Sequence, residues 1–259
     1  MPNFIKFLGT AGARFVMIQQ LRSSAGTILS LDDKTILLDP GPGTLVRCAA
    51  SRPKVDASKI DAILLSHRHV DHSTDVNVMI EAITEGGFKK RGVLFAPEEC
   101  LENEDPVVLR YVRSYIDRIV TLKPNTSYDL EGLRFRTDGP HRHPAETYGF
   151  LFESRLGRIS FLIDTEFFPE LIDWYAGSRV LVINVVMVKQ REERVIQHLS
   201  LPDAQRLIAD VKPEAAILTH FGMTMVRAKP WELAAQLSRE TGVKVVAASD
   251  GMNFSLDEL

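Results

Sequence analysis

The sequence predicts an α/β fold of two mixed β-sheets packed together with helices on their outer faces, a four-layer αββα sandwich. Three observations predict it. Short apolar runs rich in Val, Ile, Leu and Phe recur between turn residues, as in strands covered on both faces. Helical patterns interleave with these runs. About eleven such runs in 259 residues are too many for one doubly wound sheet, which calls for two.

In chain order the runs are 3–8, 26–31, 35–39, 61–66, 92–96, 132–137, 147–153, 159–164, 179–187, 215–219 and 243–248. Helices are predicted over 75–85, with Asp75 as cap, and over 106–118, starting at Pro106. A third covers 201–211 after Ser200, with Asp203 placed for a capping box. The fourth covers 230–240, from Pro230 to a stop before Gly242. "SDGMNFSL" then turns at Asp-Gly into a last strand. Because no repeat or Pro/Gly/Ser linker marks a boundary, residues 1–259 read as a single domain.

Composition narrows the function classes. A net charge of -3 supplies no basic face, so long nucleic acids are disfavoured partners. The tight basic cluster Lys89, Lys90 and Arg91 reads as a solvated loop. Two cysteines, Cys48 and Cys100, are too few for a disulfide scaffold and read as core thiols. The start "MPNFIKFLGTAGARF" is broken by Lys6 and Arg14 and has no cleavage site, so the expectation is a cytoplasmic protein without a membrane partner. "VLVINVVMV" is far shorter than the ~20 residues of a spanning helix and reads as a buried strand.

Four apolar runs end in a chemically useful side chain: "TILLDPG" at Asp39, "AILLSH" at His67, "SFLID" at Asp164 and "AAILTH" at His220. Strand-end loops are where a rigid scaffold displays reactive groups. The second run opens into His67-x-His69-x-Asp71-His72. Alternation puts His67 and His69 on one side of an extended segment, where both can grip one cation. Asp71 and His72 follow in the turn and can point at a second. Imidazole with carboxylate suits zinc, iron or manganese. The other histidines, His141, His143, His198 and His220, also adjoin loops or strand ends.

The order Asp39, "HRHVDH", a His before "ETYGF", "LIDT" and "LTHFG" resembles the metallo-β-lactamase superfamily of metallohydrolases, from about residue 8 to residue 221. That resemblance implies an αββα sandwich with a two-metal centre, most simply two zinc ions, with manganese or iron as alternatives. It implies that His67, His69 and His143 hold the first metal and Asp71, His72 and His220 the second, with Asp164 bridging and Asp39 orienting a ligand. "HRH" offers His141 as well as His143; spacing to Gly149-Phe150 favours His143, leaving His141 as a pocket-wall or substrate contact.

Two cations about 3.5–4 Å apart would activate a shared water, giving a bridging hydroxide poised for hydrolysis. No G-x-S-x-G or paired Cys/His nucleophile motif competes. Within the family, His72 and His220 lower the antibiotic-hydrolase reading, which places a Cys in that shell. His69 lowers the flavodiiron reading, which places a Glu there. "QHLSLPDAQRLIADVKPEAAILTHFG" resembles phosphodiesterase members, including tRNA 3′-processing enzymes and a cyclic-phosphodiester phosphodiesterase; there a histidine in the place of His198 lies by the scissile phosphate. No long Gly/Pro- or Lys-rich insertion makes a tRNA-grasping arm.

The expectation is therefore a di-metal phosphodiesterase for a small or cyclic phosphodiester or nucleotide, with Asp71 and His198 as catalytic residues. His141, His198 and Arg22 are the expected substrate contacts. A carboxylic ester, thioester or lactone hydrolase and a non-catalytic metal sensor are the alternatives, and a homo-oligomer is left open. Gly9 and Gly12 of "GTAGAR", with Arg22 of "RSSAG", are expected at the site mouth, where glycine permits close backbone approach.

Overall fold

A computed structural model describes residues 1–102, 104–190 and 196–259. Two compact units emerge, each assembled from segments distant in sequence. The first takes residues 1–9, 22–123 and 250–258; the second takes 10–21, 124–249 and 259.

The first unit holds β1 (Phe4–Phe7), β2 (Thr27–Leu31), β3 (Lys34–Leu38), β4 (Ala62–Leu64), β5 (Arg91–Pro97) and β6 (Ile116–Leu122), joined by Asn253–Ser255, the last strand, β14. Their order is β14-β1-β2-β3-β4-β5-β6. Pairing is antiparallel from β14 to β3 and parallel from β3 to β6. Parallel pairing brings the carboxyl ends of β3 and β4 to the same edge, so Asp39 and His67 leave the sheet side by side. Ile28, Leu37, Ile63 and Leu94 on one sheet face pack against Cys48 of helix Thr44–Ala50, Met79 and Ile80 of helix Val76–Ile83, and Cys100 of helix Glu98–Glu102. Each fully buried aliphatic side chain contributes about 1.5–3 kcal/mol. Both cysteines are buried core thiols, as expected. Desolvation, with the charge of Asp75 second, pushes the Cys48 thiol up to about 11.

The second unit holds β7 (Ser127–Leu130), β8 (Leu133–Thr137), β9 (Phe150–Ser154), β10 (Gly157–Leu162), β11 (Ser178–Asn184), β12 (Ala215–Thr219) and β13 (Lys244–Ala247). They follow the order β13-β12-β11-β10-β9-β8-β7. Antiparallel pairing runs from β7 to β10 and parallel pairing from β10 to β13. Asp164, Asn184 and His220 therefore share the carboxyl edge of β10, β11 and β12, the edge at which open α/β sheets hold ligands. Leu162, Leu181, Ile183 and Leu218 pack against Leu171 of helix Glu170–Tyr175, Leu207 and Ile208 of helix Leu201–Val211, and Leu237 of helix Pro230–Thr241.

Helix Leu201–Val211 carries its predicted capping box: the Asp203 carboxylate accepts from the Ser200 N–H at 2.8 Å and from its hydroxyl at 2.6 Å. Gly242 ends helix Pro230–Thr241 in the left-handed region, φ 73°. The predicted helix over 106–118 is corrected. Only a 3-10 turn forms, over Tyr111–Ser114, and Ile116 opens β6 instead. Ile116, Ile119, Val120 and Thr121 are β-branched, and pairing with the free edge of β5 satisfies a row of backbone groups that a helix would leave unpaired on the sheet. Asp75 precedes its helix without capping it; its carboxylate accepts from the Leu45 N–H at 3.2 Å. Strand β7 escaped the sequence pattern because its four residues, SYDL, are those of a short polar edge. Among the described residues, no helix is long and apolar enough to cross a membrane.

Candidate metal centre

In the first unit the chain leaves β4 extended through Ser66 to His69 and then turns: His72 N–H and Ser73 N–H both return to the His69 carbonyl, at 2.9 and 3.1 Å. The extended-then-turned path expected for H-x-H-x-D-H is thus what forms, with the short helix Val70–Ser73 carrying Asp71 and His72. The His67 and His69 ring centroids are 4.7 Å apart, and those of His67 and His72 are 4.2 Å apart.

Asp39 organises these rings. Its backbone is left-handed, φ 47°, and its N–H bonds the Leu64 carbonyl at 2.9 Å. The carboxylate accepts from the Ser66 N–H at 2.7 Å, the Ser66 hydroxyl at 2.6 Å and His72 Nδ1 at 2.9 Å. A hydroxyl has one hydrogen. With that hydrogen on Asp39, Ser66 Oγ accepts from His67 Nδ1 at 2.9 Å, so His67 keeps its lone pair on Nε2. That Nε2 lies 3.0 Å from His69 Nδ1. By the same logic His72 donates through Nδ1 and keeps its lone pair on Nε2, 3.7 Å from the Asp71 carboxylate. Lone pairs and a carboxylate set this close repel unless a proton or a cation lies among them, and this donor set fits a divalent transition metal.

In the second unit Asp164 is the hub. Asn184 Nδ2 donates to its Oδ1 at 2.9 Å, His220 Nδ1 stands 3.3 Å from the same oxygen, and His198 Nδ1 stands 3.6 Å from Oδ2. His143, Asp164 and His198 offer donor atoms that all lie within 4.8 Å of one another. His143 donates through Nδ1 to the Gln197 carbonyl at 3.0 Å, which leaves Nε2 as its lone-pair nitrogen. His220 is held in the left-handed region, φ 58°, strain of the kind that collects at functional positions. Gly12 accommodates it: a Cβ there would sit 2.2 Å from the His220 carbonyl oxygen and 2.4 Å from its Nδ1.

The two histidines of "HRH" part company. His141 Nδ1 donates to the Asp164 carbonyl at 3.1 Å and its Nε2 lies 2.7 Å from the Asp138 carboxylate, so both ring nitrogens are engaged within the protein. Its side chain, expected as a pocket wall or substrate contact, is fully buried, 0% exposed. Gly9 is needed for the chain's own packing, since a Cβ there would meet the Ser23 carbonyl at 2.3 Å. Half-buried Arg22, expected at a phosphate, has Asp250 as its charged neighbour; burial lowers its pKa and Asp250 opposes that shift.

Ser66, Asp138, Tyr175 and Asn184 escaped the sequence reading. Asn184 left one signal, a lone amide inside the apolar run "VLVINVVMV". Ser66 and Asp138 left none beyond their positions next to histidine motifs.

Comparison with known proteins places the fold. The family described as a beta-lactamase superfamily domain matches residues 34–221. An uncharacterized protein of Methanocaldococcus jannaschii is 33% identical over 257 residues, covering 97% of this chain and 94% of its own length. Ribonuclease Z of Mycobacterium marinum is 23% identical, covering 88% of this chain and 91% of its own. Among solved structures, the metallo-beta-lactamase fold protein YhfI from Bacillus subtilis aligns at TM-score 0.78 and 17% identity, over 98% of this chain and 99% of that one. A diphosphatase from the PhnP family aligns at TM-score 0.69 and 21% identity, over 98% and 97%. At these identities the structural likeness shows the fold, the αββα fold expected from the sequence.

Proposed function

Since the chain belongs to the beta-lactamase superfamily, we propose that it is a metal-dependent hydrolase whose substrate is a small or cyclic phosphodiester. The ligand set is that of the family resemblance: His67, His69 and His143 for one cation, Asp71, His72 and His220 for the other, and Asp164 for both. Within each unit the lone-pair nitrogens and carboxylates described above support that assignment. Two zinc ions suit the nitrogen-rich set, with manganese and iron as the other candidates. Bound divalent cations acidify the water they hold and polarise the bonds to phosphorus.

The chain's own residues supply the rest. Asp39 holds the tautomers of His72 directly and of His67 through Ser66, so the correct nitrogens stay free of hydrogen. Asn184 fixes the Asp164 carboxylate. His198, beside Asp164 and outside the ligand set, donates a hydrogen to the leaving oxygen or stabilises charge on the phosphate, an effect worth typically ~10²–10⁴-fold.

The observation that carries the phosphodiester reading is His198, whose ring lies 5.0 Å from that of His143 while its Nδ1 stands 3.6 Å from Asp164. A relative named ribonuclease Z and a structural neighbour named a diphosphatase support a reading at phosphorus. A net charge of -3 favours a small substrate over a polynucleotide, whose binding draws on counterion release.

The test compares specificity constants of the metal-loaded protein for bis-(p-nitrophenyl) phosphate and p-nitrophenyl acetate. Phosphodiester turnover should dominate, and His198→Ala should lower it about 10²–10⁴-fold while cation stoichiometry is retained. Acyl turnover alone would overturn the reading in favour of an ester, thioester or lactone hydrolase, and fewer than one tightly bound cation per chain would leave a protein without this chemistry.

A further inference from the structure

A buried polar network in the second unit has no part in the ligand set. Asp138, 0% exposed, accepts from the Gly149 N–H at 2.7 Å through Oδ1, and from His141 Nε2 at 2.7 Å and the Tyr175 hydroxyl at 2.6 Å through Oδ2. Burial, with the charge of Asp138 second, holds the Tyr175 phenol far above its ordinary value, so it remains a donor. Gly149 is required by close approach, because a Cβ there would lie 1.9 Å from the Tyr175 oxygen and 2.6 Å from Asp138 Oδ2. Burying a carboxylate with its donors in an apolar unit is a poor way to gain stability. The network asks for another explanation.

Its connections supply one. His141 reaches past Asp138 to the Asp164 carbonyl at 3.1 Å. The next residue continues the seam: Arg142 N–H donates to Thr165 Oγ1 at 3.1 Å, and the Glu166 N–H returns to the Arg142 carbonyl at 3.2 Å. His143 then closes a tight turn, its N–H on the His141 carbonyl at 3.1 Å. Three consecutive hydrogen bonds therefore stitch the loop bearing His143 to the strand end bearing Asp164. The anchor of the stitch is the ring of His141, clamped by Asp138 and Tyr175.

We propose that Asp138, His141 and Tyr175 form a positioning unit that presents His143 and Asp164 to the cation site in a fixed mutual geometry. The inference rests on the ligand assignment above, and concerns residues that touch neither cation nor substrate. Groups that orient metal ligands typically change affinity about 10- to 100-fold when removed.

The experiment is titration of the metal-free full chain with zinc by calorimetry and with cobalt(II) by visible absorption. His141→Ala and Tyr175→Phe are compared with the wild type, and the unfolding midpoint of each metal-free protein is recorded. The expected result is a zinc dissociation constant raised about 10- to 100-fold in His141→Ala, a rise of at least roughly threefold in Tyr175→Phe, and an altered cobalt spectrum in both. Lowered unfolding midpoints with wild-type zinc affinity and an unchanged cobalt spectrum would overturn the proposal, leaving the network a structural one. Should His141→Ala not fold, Tyr175→Phe decides alone, since it removes one hydroxyl. A wild-type chain that binds neither metal would instead overturn the ligand assignment itself.

Discussion

At the scale of single residues, the carboxylate of Asp39 ties the strand-end turn of the first unit to its histidine cluster. It takes three hydrogen bonds, from the Ser66 N–H, the Ser66 hydroxyl and His72, and occupies a left-handed conformation that glycine would adopt at lower cost. Asp39→Ala should leave the fold intact and raise the zinc dissociation constant about 10- to 100-fold, because His67 and His72 lose the partner that fixes their tautomers. Calorimetric titration checks this, and affinity within twofold of wild type would refute the role. Asp39, His67, Asp164 and His220 were legible because each ends an apolar run, where a polar residue stands out. Tyr175 and Asp138 were not, because their partners lie 37 residues apart and only the packing of helix Glu170–Tyr175 on the 138–149 loop brings them together. Spacing to Gly149-Phe150 favoured His143 over His141, but the Asp138 and Asp164 partners of the His141 ring are not encoded in spacing.

At the scale of elements, legibility followed local self-sufficiency. Helix Leu201–Val211 declares its start through Ser200 and Asp203, and helix Pro230–Thr241 its end through Gly242, so both were readable from a few adjacent residues. Strand β6 was not, since "IDRIVTL" becomes a strand only by pairing with β5. The capping box offers a direct test of the first case. Ser200→Ala removes the hydroxyl bonded to Asp203 and should destabilise the protein by about 1 kcal/mol. The unfolding midpoint should fall by roughly 2–4 °C. The same variant should leave zinc affinity unchanged, because His198 precedes the cap and its ring faces Asp164 from outside the helix. A midpoint unmoved within error would show that the cap contributes nothing to the fold.

For the molecule as a whole, each sheet is antiparallel on one side and parallel on the other, and every proposed ligand leaves a parallel strand's carboxyl edge or a loop packed beside it. Two sheets were predictable from strand count alone. Their division was not: β1 and β14 pair across nearly the full length of the chain, and pairing at such separation leaves no local mark. Cations that bind the folded chain and not the unfolded one must stabilise it by mass action, by about 2.7 kcal/mol at a free concentration one hundred times the dissociation constant. For a chain of this size that corresponds to a rise in unfolding midpoint of roughly 5–10 °C. Dialysis against a chelator should therefore lower the midpoint by that amount, and zinc should restore it with a dependence on its logarithmic concentration. Calorimetric scans at several free zinc concentrations measure both. A chain whose midpoint ignores chelation, or recovers equally with magnesium, would contradict a centre of imidazole and carboxylate donors, since magnesium prefers oxygen ligands and its own waters.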